Sequence, residues 1–157
     1  MRPSMDKMMP EAWKTATAFS MGIREATLDR GLTPRESELI KVRASQINGC
    51  AYCLDLHSRE ARHAGLEQQK LDLLPAWRET DVFDERERAV LAVAEAATML
   101  PLSEESAADL SGARAVLGDE TFVAAEWVAA AINAFNRISI LSGHSVRPRD
   151  TEGKVRR

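Results

Sequence analysis

The chain has 157 residues, of which 45% are hydrophobic and 29% are charged, and its formal net charge is −3. This length and composition predict one globular domain that buries a core without disulfide staples. The negative charge argues against a nucleic-acid partner, and no segment approaches the ~20 apolar residues of a membrane span. Because the sequence also lacks a secretory signal, we predict a cytoplasmic protein that binds neither nucleic acid nor membrane.

Signals for helices follow one another along the chain. A first helix is predicted over residues 11–30 and ends at Gly31, a typical residue after a helix. Thr33-Pro34-Arg35-Glu36 then reads as a capping box with proline at the first helical position. The helix that it starts ends at Asn48-Gly49, and the next one runs from about Cys50 to Gly65. Four further helices are predicted over 67–74, 84–100, 103–118 and 119–142.

No alternating strand pattern and no hairpin dipeptide accompanies these helices. We therefore predict an all-α bundle of about six to seven helices. A single domain should cover residues 1–146. Residues 147–157 form a polar tail that we expect to be flexible.

Two cysteines, Cys50 and Cys53, lie three residues apart. A bridge between them closes almost no loop and adds little stability, which favours chemistry over a structural role. Both fall in the first turn of a predicted helix, where the positive end of the helix dipole stabilises a thiolate. His57 lies one turn beyond Cys53 on the same face, where it can accept or return a proton.

Glu38 lies in the preceding helix, and simple geometry brings it towards His57. If the two helices form an antiparallel hairpin about Asn48-Gly49, Glu38 lies roughly 14 Å and His57 roughly 12 Å from the turn, at ~1.5 Å rise per residue. The carboxylate can then orient the imidazole in a Glu–His–Cys proton relay. The competing interpretation is a surface glutamate that pairs with Lys41 at i+3.

Other interpretations of the cysteine pair remain open. Unpaired cysteines are often small buried hydrophobes. With His57 the pair supplies three zinc ligands, but a structural zinc site needs a fourth, and His63 lies on another face while His144 is remote in sequence. We therefore predict no metal. Covalent haem attachment needs a histidine directly after the second cysteine, where this chain has Leu54, and a thioredoxin fold needs strands.

This segment resembles the AhpD-like alkylhydroperoxidases of the carboxymuconolactone decarboxylase superfamily. Their signature is a glutamate, a gap and then Cys-x-x-Cys-x-x-x-His, which Glu38, Cys50, Cys53 and His57 reproduce. The resemblance implies an all-helical subunit that assembles as a homotrimer or homohexamer. It also implies that Cys53 attacks an organic hydroperoxide, that Cys50 resolves the resulting sulfenic acid as a disulfide, and that Glu38 and His57 relay the proton. No bound cofactor is expected, and the reductant would be an external dithiol, either a lipoyl group or another thiol redox protein.

One residue departs from the pattern. Some members of that family have a histidine before the distal cysteine, whereas this chain has Tyr52, a poor base near neutral pH. A second hypothesis is therefore a non-peroxidatic dithiol that carries electrons to a peroxiredoxin. A third is a helical oligomer in which the cysteines are structural.

Overall fold

A computed structural model describes residues 2–156, and each helix predicted from the sequence is present in it. Over the described residues the helices are α1 (Met5–Met8), α2 (Pro10–Leu28), α3 (Pro34–Asn48), α4 (Ala51–His63), α5 (Gln68–Leu73), a 3-10 helix (Leu74–Glu79), α6 (Glu85–Thr98), α7 (Glu104–Leu117) and α8 (Asp119–Ser142). The single turn α1 and the 3-10 helix were not predicted. The described range contains no strand beyond one isolated bridge between Arg149 and Val155, so the all-α prediction is confirmed. None of its helices is long and apolar enough to cross a membrane.

The centre of the bundle is α6, which packs against α3, α7 and α8. Nine of its fourteen residues are buried, and four of these are alanines, whose small side chains allow the neighbouring helices to approach closely. By contrast, Thr27 is the one buried residue among the nineteen of α2. The core therefore lies between α3, α6, α7 and α8, and α2 covers its outside.

Two capping boxes begin the helices that build the core. The predicted box at α3 is present: Thr33 Oγ1 accepts from the Glu36 backbone N–H at 3.2 Å, and Glu36 Oε2 accepts from the Thr33 N–H at 2.8 Å. Asp84 and Glu87 form the same arrangement at the start of α6. Each capping glutamate also anchors a second element. Glu36 pairs with Arg86 of α6 at 2.7 Å, and Glu87 pairs with Lys70 of α5 at 2.6 Å.

A buried carboxylate joins four helical elements at the other end of α6. Glu95 accepts from the indole N–H of Trp77 at 2.8 Å and from the guanidinium groups of Arg43 and Arg78, both at 2.8 Å. Burial raises the pKa of Glu95, but these donors outweigh that effect and the pKa lies below its usual value. Arg78 continues the network to Asp109 of α7 at 2.8 Å. The carboxylate thus ties α3, the 3-10 helix, α6 and α7 together.

The residues beyond α8 lie against α4. The Arg149 guanidinium pairs with Asp55, with Nε 3.2 Å from Oδ1, and Arg149 bridges back to Val155 through the turn at 150–153. The expected flexibility of residues 147–157 stays a prediction; within this stretch, Arg149 contacts α4 through Asp55.

Glu95→Ala should lower the free energy of unfolding by about 3 kcal/mol or more, because it leaves Arg43 and the Trp77 N–H buried without their acceptor. Asp109→Ala is the matched control. It removes a carboxylate that is 30% exposed and contacts the same Arg78, so it should cost less than about 1 kcal/mol. Urea unfolding measures both, and equal losses for the two variants would contradict the network.

Candidate active site

The chain reverses direction between α3 and α4 at Gly49. This residue has φ of 67°, a left-handed conformation that strains any side chain with a Cβ. The reversal is closed by two backbone hydrogen bonds, from Gly49 N–H to Gln46 O at 3.2 Å and from Cys50 N–H to Ser45 O at 3.0 Å. The predicted break at Asn48-Gly49 is therefore confirmed, and it places Cys50 immediately before the first residue of α4.

The two cysteines are joined by a disulfide at the N-terminus of α4. Cys50 is the N-cap residue, and its sulfur accepts a hydrogen bond from the Cys53 backbone N–H at 3.3 Å. Their Cα atoms are 5.3 Å apart, and the residues are only 1% and 3% exposed. Both sulfurs lie at the positive end of the α4 dipole, a position that favours a thiolate over a thiol.

His57 and Glu38 meet across the hairpin, as the helical rise predicts. His57 Nδ1 is 2.9 Å from Glu38 Oε2, and Lys41 Nζ is 2.6 Å from the other oxygen, Oε1. Both proposed contacts of Glu38 are thus present at once, one on each oxygen. Burial raises the pKa of Glu38, but the hydrogen bond from His57 and the charge of Lys41 outweigh it, so the pKa lies below its usual 4.5.

The ionised Glu38 determines what His57 can do. A carboxylate accepts hydrogen bonds and does not donate, so Nδ1 must carry the proton in this contact. In the neutral imidazole the lone pair is then on Nε2. His57 is four residues after Cys53 on α4, a separation that brings side chains within about 5–6 Å at Cβ. The catalytic roles of Glu38, Cys50, Cys53 and His57 stay predictions, while the contact between Glu38 and His57 is a feature of the structure.

Sequence reasoning missed an asparagine network that holds the turn. The Asn48 amide donates to Asn133 Oδ1 and to Asn136 Oδ1, both at 2.9 Å. Asn136 is fully buried and donates in turn to Ser45 Oγ at 3.0 Å. The signal for it was a pair of asparagines three residues apart on α8, a helix otherwise rich in alanine and isoleucine. These contacts attach the residue two positions before Cys50 to the centre of the bundle.

His144, which is remote in sequence, is also close to the cysteine helix. Its ring lies edge-on to Tyr52, with centroids 5.3 Å apart. Its Nε2 is 3.2 Å from Asp6 Oδ1, and its Nδ1 is 3.3 Å from Ser139 Oγ. An imidazole from the end of α8 thus contacts the side chain that lies between the two cysteines.

The described part of the chain contains no group of three or more His, Cys, Asp or Glu side chains placed to hold a metal ion. His63 is exposed at the end of α4, and His144 contacts Tyr52 rather than the sulfurs. The zinc interpretation thus finds no fourth ligand among these residues.

The fold and the site define a class: a helical protein with a cysteine pair at a helix N-terminus and a Glu–His pair beside it. Residues 10–96 match the Carboxymuconolactone decarboxylase family. The chain is 34% identical over 143 residues to the uncharacterized protein YdfG of Bacillus subtilis (strain 168). This alignment covers 91% of this chain and 95% of YdfG. It is also 30% identical over 76 residues to the uncharacterized protein YnjA of Escherichia coli (strain K12). That alignment covers 48% of this chain and 42% of YnjA.

A solved structure agrees with this match. It is that of a protein of unknown function from Agrobacterium tumefaciens, described as a candidate antioxidant defence protein AhpD. The two folds superpose with a TM-score of 0.75 at 37% identity, over 89% of this chain and 93% of that one. The chain therefore belongs to the Carboxymuconolactone decarboxylase family and has an AhpD-like fold.

Glu38→Gln should lower the free energy of unfolding near pH 7 by about 1–3 kcal/mol, because a buried charge-assisted contact is lost. The folded pKa of Glu38 lies below the unfolded value. The advantage of the wild-type protein is therefore full above about pH 4.5 and is lost as the pH falls through the folded pKa. Urea unfolding of both proteins across this range measures it.

Glu67→Gln is the control, because that carboxylate is exposed and pairs with Arg35 at the surface. It should change stability little at any pH. Two results would contradict the pairing of an ionised Glu38 with His57 and Lys41. One is a stability advantage of the wild-type protein over Glu38→Gln that grows as the pH falls, and the other is an equal loss of stability in Glu38→Gln and Glu67→Gln.

Proposed function

We propose that this protein is a thiol-dependent peroxidase that reduces alkyl hydroperoxides through the Cys50–Cys53 couple. The observation that carries the proposal is the buried cysteine pair at the start of α4, with His57 one turn further on and held by Glu38 at 2.9 Å. The similarity to a structure described as a candidate antioxidant defence protein supports the same class of activity.

In the first step, the Cys53 thiolate attacks the terminal oxygen of the hydroperoxide. The O–O bond breaks, the sulfur becomes a sulfenic acid, and the alkoxide leaves with a proton from His57 to give the alcohol. Cys53 is assigned as the nucleophile because His57 lies four residues from it and seven from Cys50. Glu38 stabilises the protonated imidazole through Nδ1.

In the second step, the Cys50 thiolate attacks the sulfur of Cys53. The S–O bond breaks, the hydroxide takes a proton and leaves as water, and the disulfide forms. The two electrons that reduce the peroxide therefore come from the two thiols. In the disulfide the two Cα atoms are 5.3 Å apart, within the range that is usual for such a bond.

An external dithiol then restores the thiols. A donor thiolate attacks one sulfur to form a mixed disulfide, and the second donor thiol releases the reduced protein as the donor is oxidised. Because both cysteines are almost fully buried, a slender dithiol such as a lipoyl arm fits better than a broad protein surface. Such donors are kept reduced in the cytoplasm, the location that we propose.

Thiol titration of the reduced, folded protein tests this function. One equivalent of an organic hydroperoxide should remove both thiols within seconds, and dihydrolipoamide should restore them. Cys53→Ser should not react with the hydroperoxide, whereas Cys50→Ser should consume one equivalent and stop as the sulfenic acid. Equal single-turnover reaction of both variants would overturn the division of roles.

The same titration separates the other two hypotheses. Thiols that resist hydroperoxide but are lost to a disulfide donor would replace the peroxidase with an electron carrier for a peroxiredoxin. Thiols that react with neither reagent would support the third hypothesis, in which the cysteines are structural.

We also propose that the subunit assembles as a homotrimer or homohexamer. The support is an apolar surface shared by α2 and α8, where Phe19 and Trp127 lie edge to face with ring centroids 6.1 Å apart. These side chains are 43% and 52% exposed, and Met21, Leu28 and Val123 are exposed to a similar extent on the same two helices. A subunit that buries this surface against copies of itself removes apolar area from water.

Light scattering should give three or six times the subunit mass of 17.4 kDa. Trp127→Glu should shift the protein towards the single subunit, because it places a charge in the shared surface. Circular dichroism verifies that the variant keeps its helices. A monomeric mass for the wild-type protein at micromolar concentration would contradict the assembly.

A further inference from the structure

A cleft of about 180 Å³ opens on one side of α4. One wall consists of α4 residues, including Tyr52, Leu56 and Arg59. The other wall is the segment after α8, which contributes Arg147 and Arg149. The contact of the carboxy-terminal segment with α4 therefore creates a site that α4 alone lacks.

Two residues of the cleft wall are sequence neighbours of groups proposed to react. Tyr52 is the residue before Cys53, and Leu56 is the residue before His57. Consecutive Cα atoms are ~3.8 Å apart, so each of these wall residues is one residue away from a group proposed to react. Tyr52 is 41% exposed whereas Cys53 is 3% exposed. The cleft side of α4 is therefore open to solvent, while the sulfur of the next residue is buried.

The lining of the cleft has an excess of positive charge. Asp55 pairs with both Arg149, at 3.2 Å, and Arg59, at 3.4 Å, so one carboxylate is shared by two guanidinium groups. These contacts hold the pKa of Asp55 below its usual value, with the hydrogen bond from Arg149 as the largest cause. Arg147 has no ion-pair partner among residues 2–156. Three guanidinium groups therefore face one carboxylate, which leaves a net charge of about +2 at neutral pH.

We infer that this cleft binds the carboxylate of a small organic substrate, so that hydroperoxides carrying a carboxylate react in preference to neutral ones. The planar guanidinium fork of Arg147 matches a carboxylate in two parallel hydrogen bonds, and Tyr52 offers a hydroxyl donor. The reaction rests on the peroxidase function proposed above, whereas the binding does not.

The size of the cleft also fits this occupant. At ~30 Å³ per water molecule of liquid volume, it holds about six waters, the space of a carboxylate with a few methylene groups. The guanidinium groups are partly exposed and screened by salt, so the preference should be modest, about fivefold at low ionic strength.

Binding of an unreactive acid tests the inference directly. Hexanoate and hexanamide have the same length and differ in charge, and calorimetry on the reduced, full-length protein compares them. Hexanoate should bind about fivefold more tightly than the amide, and Arg147→Gln should remove the difference. Arg62→Gln is the matched control, because this exposed arginine lies on the same helix outside the cleft and should leave the preference intact.

Equal binding of hexanoate and hexanamide, or a preference that survives Arg147→Gln, would overturn the inference. Tighter binding of inorganic phosphate than of hexanoate would overturn the assignment to a carboxylate. A kinetic arm compares 6-hydroperoxyhexanoate with its methyl ester, and the acid should oxidise the thiols about fivefold faster at low salt. If neither hydroperoxide reacts while hexanoate still binds through Arg147, the peroxidase function fails and the carboxylate site stands.

Discussion

The left-handed reversal at Gly49 determines where the chemical groups of this protein lie. Because α3 ends there with a φ of 67°, the chain turns back within two residues and α4 begins with Cys50 as its N-cap. Cys53 then falls at the third helical position and His57 one turn later. On the other arm, Glu38 lies at the height of His57, and the two side chains meet at 2.9 Å. A side chain with a Cβ at position 49 would strain this geometry and displace both arms together.

A turn of this kind is useful for redox chemistry only if it keeps its shape when the disulfide opens. Asn48 contributes to that by donating both amide hydrogens to asparagines of α8, which belongs to the central bundle. The backbone on either side of Cys50 is held by hydrogen bonds that do not involve sulfur: those of the Asn48 amide before it, and the one from the Leu54 N–H to the Cys50 carbonyl after it. The sulfur atoms can exchange partners while the peptide around them stays in place.

The sequence predicts the parts of this site that depend on local rules, and misses those that depend on packing. The capping box at Thr33, the break at Gly49 and the meeting of Glu38 with His57 follow from helical rise and from turn preferences within some twenty residues. The contacts of Asn48 with α8 and of His144 with Tyr52 join positions 85 or more residues apart. Their formation depends on the angle and rotation at which α8 crosses α3 and α4, which no periodicity encodes. The single-turn helix α1 was missed for a related reason, because four residues are too few to show a period.

The four buried glutamates of residues 2–156 differ in the groups with which they pair. Glu36, Glu87 and Glu95 each pair with arginine or lysine, groups that stay charged throughout the physiological pH range. Such pairs anchor helices to one another and cannot release a proton to a neighbour. Glu38 divides its two oxygens between Lys41, whose charge helps to hold the pKa of Glu38 below its usual value, and the imidazole of His57. The lysine thus favours the ionised carboxylate, which accepts the hydrogen bond from His57 Nδ1. At this position an imidazole takes the place of a permanently charged partner on one carboxylate oxygen, which is the arrangement that the proposed proton relay requires.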